Sequence, residues 1–311
     1  MAKVLIIKLG YSETLDGEIG KVSSLGDVLR TTVVLHLFKN DSVTWLVDEK
    51  AYPLLRDNKY ITRILVYNSD SIWQIKCERY DTVINFEKDS DLCTLSDSIK
   101  SDRYYGFRFD EVTGKPHYYA GSEVAFQICN DVEIKRQNKK YWQKIIMKMA
   151  GGEWSGEKYI LGYKPKTKLK YDVGLNWAVG AKWPNKAWPK EYWDKLTELI
   201  EGHYTYSWQE GLNSIYEYIE WINSCRLIVT ADSLGQHIAL ALKRKVLILY
   251  GPTNPNETYL YGLGKELLPE INYDCIPCLK SRCTQKKRCM YFITPERVVK
   301  EIGDILGKKK Y

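Results

Sequence analysis

The sequence predicts an α/β protein built from two doubly wound halves. Three observations carry that expectation: short apolar runs that each fit one buried parallel strand, intervening stretches with helical spacing, and a repeat of this alternation in the second half of the chain. With 311 residues, the chain also exceeds the roughly 250 to 300 residues at which a single hydrophobic core stops growing. Two domains of about 150 residues each are therefore expected.

The run from Lys3 to Lys8 is apolar, brief and followed by Gly10, as suits a buried strand that opens a sheet. Ser23-Ser24-Leu25-Gly26-Asp27 then leads into apolar positions at helical spacing from Val28 to Phe38. That puts the Ser-Leu-Gly-Asp segment on a helix N-terminus and Asp27 at the carboxyl edge of the sheet. Strands are expected at Val43 to Val47, Ile64 to Tyr67 and Thr82 to Phe86, each separated by enough residues for a crossover. Between Asp89 and Gln137 the tyrosines, glycines and turn residues predict loops with one or two strands. Tyr141 to Ala150 reads as a helix that closes the first domain before Gly151-Gly152.

The second alternation begins with a strand at Tyr171 to Trp177 and a helix at Lys190 to Ile200. It resumes with a helix at Asn213 to Asn223, a strand at Arg226 to Thr230, a helix at Leu234 to Leu242 and a strand at Lys245 to Tyr250. A final amphipathic helix runs from Pro295 to Leu306. The expected domains are residues 1–150, residues 151–294, and a C-terminal helix over 295–311 that could pack back on the first domain. Two such halves imply a cleft between them, with ligands at the carboxyl ends of parallel strands.

Composition narrows the function classes. The chain is 44% hydrophobic and 27% charged with no low-complexity block, which argues against disorder. No apolar run approaches the roughly 18 residues needed to span a bilayer, and Met1-Ala2-Lys3 leads directly into a strand rather than a signal peptide. A cytoplasmic location is expected. The net charge of +7 comes from scattered lysines and arginines, with modest clusters at Lys164 to Lys170 and Lys308 to Lys310. That distribution disfavours nucleic acid and suits a phosphorylated donor, an anionic glycolipid or the cytoplasmic face of a membrane, which the protein could touch peripherally.

Two segments carry chemistry. Leu227 to Ala231 reads as a buried strand that delivers Asp232 and Ser233 to a helix start, followed by Leu234, Gly235 and His237. Backbone amides there would face an anion such as a pyrophosphate, although an ordinary helix cap at Asp232 or Ser233 explains the same pattern. Asn176 to Pro189 is a strand end and a loop rich in lysine and tryptophan, in which Lys186 could serve a diphosphate as a flexible point charge.

Taken with Val4 to Lys8, five segments resemble family nine of the glycosyltransferases, the ADP-heptose:lipopolysaccharide heptosyltransferases. They are Ser24-Leu25-Gly26-Asp27, Lys186-Ala187-Trp188-Pro189, Asp232-Ser233 with His237, Leu249-Tyr250-Gly251-Pro252-Thr253, and the cysteine cluster after them. The resemblance implies a GT-B fold of two Rossmann-like domains facing a central cleft. It also implies an inverting transfer from an ADP-sugar that needs no cofactor in the chemical step. By the same resemblance Asp27 becomes the general base, with Ser24 and Gly26 beside it on the acceptor side. Lys186, Ser233 and the amides at Leu234 and Gly235 become the groups that meet charge on the departing diphosphate. Asp232 matches the position that contacts donor sugar hydroxyls, and His237 is equally suited to holding this loop in place.

The implied acceptor is a lipopolysaccharide core, another glycan or a protein. Departures from the family pattern fall at residues 11–22, at the short connection between Ile200 and Ser214, and at Asp-Ser-Leu-Gly-Gln-His; they bear on donor base and acceptor. Two other classes are a binding or scaffold protein without turnover and a dehydrogenase. The dehydrogenase is disfavoured because no GxGxxG turn follows Gly10.

Cys275, Cys278, Cys283 and Cys289 have the spacing of metal ligands. A structural zinc or iron is expected there, with labile disulfides and free thiols as alternatives. Cys77, Cys93, Cys129 and Cys225 are dispersed and read as small core residues.

Overall fold

The computed structural model describes residues 1–11 and 21–307. The departure expected at residues 11–22 lies mostly outside that range, as does the Lys308 to Lys310 cluster. The chain divides into two compact units, residues 1–163 with 257–259 and residues 164–256 with 260–311.

The first unit holds a six-stranded sheet. Its strands are β1 (Lys3–Ile7), β2 (Ser42–Val47), β3 (Arg63–Val66), β4 (Arg79–Asn85), β5 (Lys100–Asp110) and β6 (Lys115–Tyr118). The order is β3-β2-β1-β4-β5-β6, parallel except for the β5–β6 hairpin. Its helices are α1 (Leu25–Thr31), α2 (Tyr52–Leu55), α3 (Ser69–Cys77), α4 (Ser90–Ser98), α5 (Glu123–Asn130), α6 (Val132–Gln137) and α7 (Trp142–Met149). Because the order reverses beside β1, the switch point of a doubly wound sheet lies between β1 and β4. Leu5, Ile7, Leu46, Val83 and Ile75 pack the core on one side of that sheet.

Two expectations are refined here. The helix expected over Val28 to Phe38 starts at Leu25 and tightens to a 3-10 turn at Thr32–His36. Thr31 and Thr32 return their hydroxyls to the carbonyls of Asp27 and Leu29, the kind of side-chain bond that competes with a regular helix. The stretch from Asp89 to Gln137 contains α4, α5 and α6 as well as the hairpin. The acids that read as turn residues are helix caps: Asp89 accepts from the amide of Asp91, and Asp131 from those of Glu133 and Ile134.

The second unit is a five-stranded parallel sheet in the order β11-β10-β9-β7-β8. The strands are β7 (Tyr171–Asn176), β8 (Tyr206–Trp208), β9 (Cys225–Ala231), β10 (Lys245–Leu249) and β11 (Gly264–Leu267). The helices are α8 (Lys190–Ile200), α9 (Ile215–Asn223), α10 (Leu234–Ala241) and α11 (Pro295–Leu306). Renumbered within the unit, the order is 2-1-3-4-5, so the switch point lies between β7 and β9. Strands β8 and β11 have no counterpart in the sequence reading, since each is too short to show a period.

Residues 151–163 lie with the first unit rather than at the start of the second. Ile160 donates its amide to the Thr32 hydroxyl, and its carbonyl accepts from Asn58, which ties this segment back to α1 and α2. The terminal helix α11 buries Val298 and Ile302 in the core of the second unit, against α8.

Candidate active site

The second unit builds its site from the loops after β7 and β9, on either side of the switch point. Strand β9 is buried from Leu227 to Ala231, and Asp232 follows it directly. Ser233 takes an extended conformation (φ −147°, ψ 178°) and caps α10, its hydroxyl accepting from the Gly235 amide at 3.3 Å. Leu234 and Gly235 are therefore the first residues of α10, where backbone amides lack helical partners.

Lys186 reaches this point from the other loop. Pro184 starts a 3-10 turn that ends at Lys186, and Pro189 precedes α8. Trp188 anchors the turn by burying its ring against Trp193 and donating its indole N–H to the Ile293 carbonyl at 2.8 Å. The Lys186 ammonium then donates to the Asp232 carboxylate at 2.7 Å and to the Asp232 carbonyl at 3.0 Å. Gln236 donates to the other carboxylate oxygen at 3.0 Å. Burial alone would push the Asp232 carboxyl up, but the charge and hydrogen bond of Lys186 outweigh it and hold the group below the ordinary carboxylate range.

Beneath this pair lies a network that sequence reasoning missed. Asn176, the last residue of β7, donates to the Thr230 and Ser233 hydroxyls at 2.7 and 3.1 Å and accepts from the Tyr218 hydroxyl. It joins β7, β9, α9 and α10 at the switch point, and Gly235 lies directly above it. Gln236 and Asn176 could have been suspected, as polar residues in otherwise buried positions. His237 is 4% exposed with its ring beside the Gln236 amide, so it sits beneath the Asp232 loop.

In the first unit Asp27 is the third residue of α1, and its carboxylate pairs with Arg30 at 2.8 Å. Gly26 is buried beside it. Ser24 occupies the N-cap and makes no side-chain cap bond; its amide instead donates to the carbonyl of Gly10. This bond ties the start of α1 to the loop that leaves β1.

The structural zinc or iron expected at Cys275, Cys278, Cys283 and Cys289 finds no support among the described residues. Among the described residues no group of three or more His, Cys, Asp or Glu is arranged to hold a metal ion. Three of the thiols face amide donors instead: Cys275 the Gln285 side chain, Cys278 the Asn185 side chain and Cys283 the Gln285 backbone. Cys289 lies in the core of the second unit, where burial and its three neighbouring sulfurs push its thiol up to about 11. The cysteine loop does brace the Lys186 turn, because Asn185 donates to the carbonyls of Lys280 and Ser281 at 3.1 and 3.2 Å.

Comparison with known proteins bears on both units. Residues 211–288, which include β9, α10 and most of the cysteine loop, match the model of glycosyltransferase family 9 (heptosyltransferase). Lipooligosaccharide heptosyltransferase 2 of Campylobacter jejuni is 33% identical over 79 residues, a stretch that spans a quarter of each chain. A family 9 glycosyl transferase from Veillonella parvula superposes with a TM-score of 0.67 at 16% identity, covering 98% of this chain and 97% of its own. The heptosyltransferase WaaC of E. coli, solved with ADP-2-deoxy-2-fluoro heptose, gives 0.64 at 16% identity, over 97% and 99%. Residues 211–288 thus carry the family's sequence and nearly the whole chain carries the GT-B fold, so the resemblance to glycosyltransferase family nine read from the motifs is borne out.

Proposed function

We propose that the protein is an inverting, metal-independent glycosyltransferase that moves a heptose or similar sugar from an ADP-sugar to a hydroxyl of a lipopolysaccharide core or another glycan. The observation that carries this reading is the Lys186–Asp232 pair at the start of α10, at the switch point of the second sheet. An ammonium and helix-terminal amides at one place suit a diphosphate, and the adjacent carboxylate suits sugar hydroxyls.

In this reading Asp27 takes the proton from the acceptor hydroxyl as its oxygen attacks the anomeric carbon from the face opposite the diphosphate. The bond from that carbon to the leaving oxygen breaks, and the negative charge passes to the nucleoside diphosphate. Lys186 and the amides of Leu234 and Gly235 meet that charge, which supplies the electrostatic role without a metal. Asp232 orients the sugar, and Ser24 and Gly26 shape the acceptor side. Work at the cytoplasmic face of a membrane, with the protein bound peripherally, fits an acceptor of this kind.

Calorimetric titration with ADP, UDP and GDP, on the wild type and on Asp232→Ala, tests the donor assignment. Selective ADP binding that weakens in the variant supports it; preference for another nucleotide overturns the adenine assignment. Asp27→Ala should abolish transfer while leaving ADP affinity unchanged, and a variant that still transfers at the wild-type rate would remove Asp27 from the mechanism.

A further inference from the structure

A general base has to be ionised and aimed before the acceptor arrives, and a part-exposed carboxylate can adopt more than one rotamer unless its partners fix it. On α1 one such partner is Arg30. Its guanidinium donates to Asp27 Oδ1 at 2.8 Å, and the residue is only 6% exposed. The same guanidinium lies 5.0 Å from the centre of the Trp142 ring, which is 1% exposed and comes from α7. A planar cation held against a buried indole keeps little freedom, so the carboxylate it grips inherits a fixed orientation.

Exposed pairs at this spacing contribute little to stability, and a desolvated arginine is costly to keep in a helix that could be packed with apolar residues. Resting on the transferase reading above, we propose that Arg30, clamped by Trp142, is a positioning residue that holds the Asp27 carboxylate in its base-competent orientation. Other charged groups near α1 are less suited to that role. Glu49 and Lys50 on the adjoining 3-10 turn are exposed, His36 bonds the Lys158 carbonyl at 2.9 Å, and Lys135 lies 5.9 Å from the same Trp142 ring.

The test uses the full chain with ADP-heptose and purified heptose-deficient lipooligosaccharide, comparing Arg30→Met, Arg30→Lys, Asp27→Asn and the Arg30→Met/Asp27→Asn double variant. Arg30→Met keeps most of the apolar stem, and its folding is checked by thermal midpoint and ADP titration. The expected result is a fall in kcat of about tenfold or more, part of the factor a positioned base supplies, with KM for ADP-heptose nearly unchanged. Arg30→Lys, which keeps the charge, should recover part of the loss. In the Asp27→Asn background Arg30→Met should have no further effect.

Full activity of Arg30→Met beside an inactive Asp27→Asn overturns the positioning role and leaves the base intact. Wild-type turnover by Asp27→Asn overturns the base and Arg30's role with it, as does a wild type that turns over no donor. An Arg30→Met loss that persists undiminished in the double variant shows that Arg30 acts by another route, and also overturns the proposal.

Discussion

Lys186 and Asp232 are joined by a 2.7 Å ion pair that links the loop after β7 to the loop after β9. Most of both side chains is buried, at 15% and 20% exposure, so removing either partner leaves a charge in a poor environment.

The first prediction concerns that pair. A carboxyl whose pKa is depressed on folding adds stability above its unfolded pKa, about 3.9, and loses it as the pH falls through the lower folded value. In Lys186→Met the burial of Asp232 remains while its partner is gone. The variant should therefore melt lower at pH 7, and lowering the pH towards 4 should narrow the gap to wild type. ADP affinity should fall about tenfold or more, equivalent to about 1.4 kcal/mol. Thermal scans from pH 7 to 3 and an ADP titration check both. A gap that widened on acidification would reverse the assigned sign.

Glu266 supplies a second pH dependence. It stands on β11 in register with Ile248, which faces Thr230 on β9, and its carboxyl is pushed up to about 7 by partial burial and by the charge of Asp232. Below that pH it is neutral; above it a second negative charge appears near Asp232, in the proposed donor site. The affinity for ADP should weaken as the pH rises from 6 to 8, through the range in which Glu266 ionises at about 7. Glu266→Gln should flatten that trend, and equal slopes in variant and wild type would dismiss the link.

A third prediction follows from close packing. A Cβ on Gly235 would lie 2.6 Å from the Asn176 side-chain nitrogen and 2.6 Å from the Tyr218 hydroxyl. Gly235→Ala must displace the network under α10, at about 1 to 3 kcal/mol for overpacking of this kind. It should lower the thermal midpoint and weaken ADP binding together. Tyr218→Phe/Gly235→Ala, with the hydroxyl removed, should recover part of both.

What the sequence made legible follows from range. β1, α8, β9, α10 and α11 have apolar patterns that decide their type locally, and Ser233 caps α10 as its position before the apolar run suggested. Asp27 and Lys186 could be picked out only through their motifs, because nothing in the neighbouring residues distinguishes them from surface charges. The Lys186–Asp232 pair, the Asn176 network and Arg30 against Trp142 join residues far apart in the chain, and no period encodes such contacts. The cysteine spacing constrains the chain, while the direction of each sulfur depends on contacts such as those with Asn185 and Gln285, which no spacing encodes.

The last prediction concerns the switch point of the first sheet, which is filled from within. A single oxygen of Glu87 accepts the amides of Leu9, Gly10 and Tyr11 at 2.8, 2.8 and 3.2 Å, with the Lys8 ammonium at 3.5 Å. Consecutive amides on one anion, at the end of a first strand, form the kind of nest in which other doubly wound domains bind phosphate. Here the Glu87 carboxylate occupies it. Glu87→Ala would open the nest and remove a carboxylate partner of a fully buried lysine, at a cost of about 3 to 5 kcal/mol. Because the carbonyl of Gly10 also receives the Ser24 amide, the damage should reach α1 and lower turnover as well as stability. Formate, a carboxylate small enough to enter the space left behind, should raise the thermal midpoint of Glu87→Ala more than chloride at equal ionic strength, and should leave the wild type unmoved. Equal responses to the two anions would mean that the loop after β1 is held by other contacts.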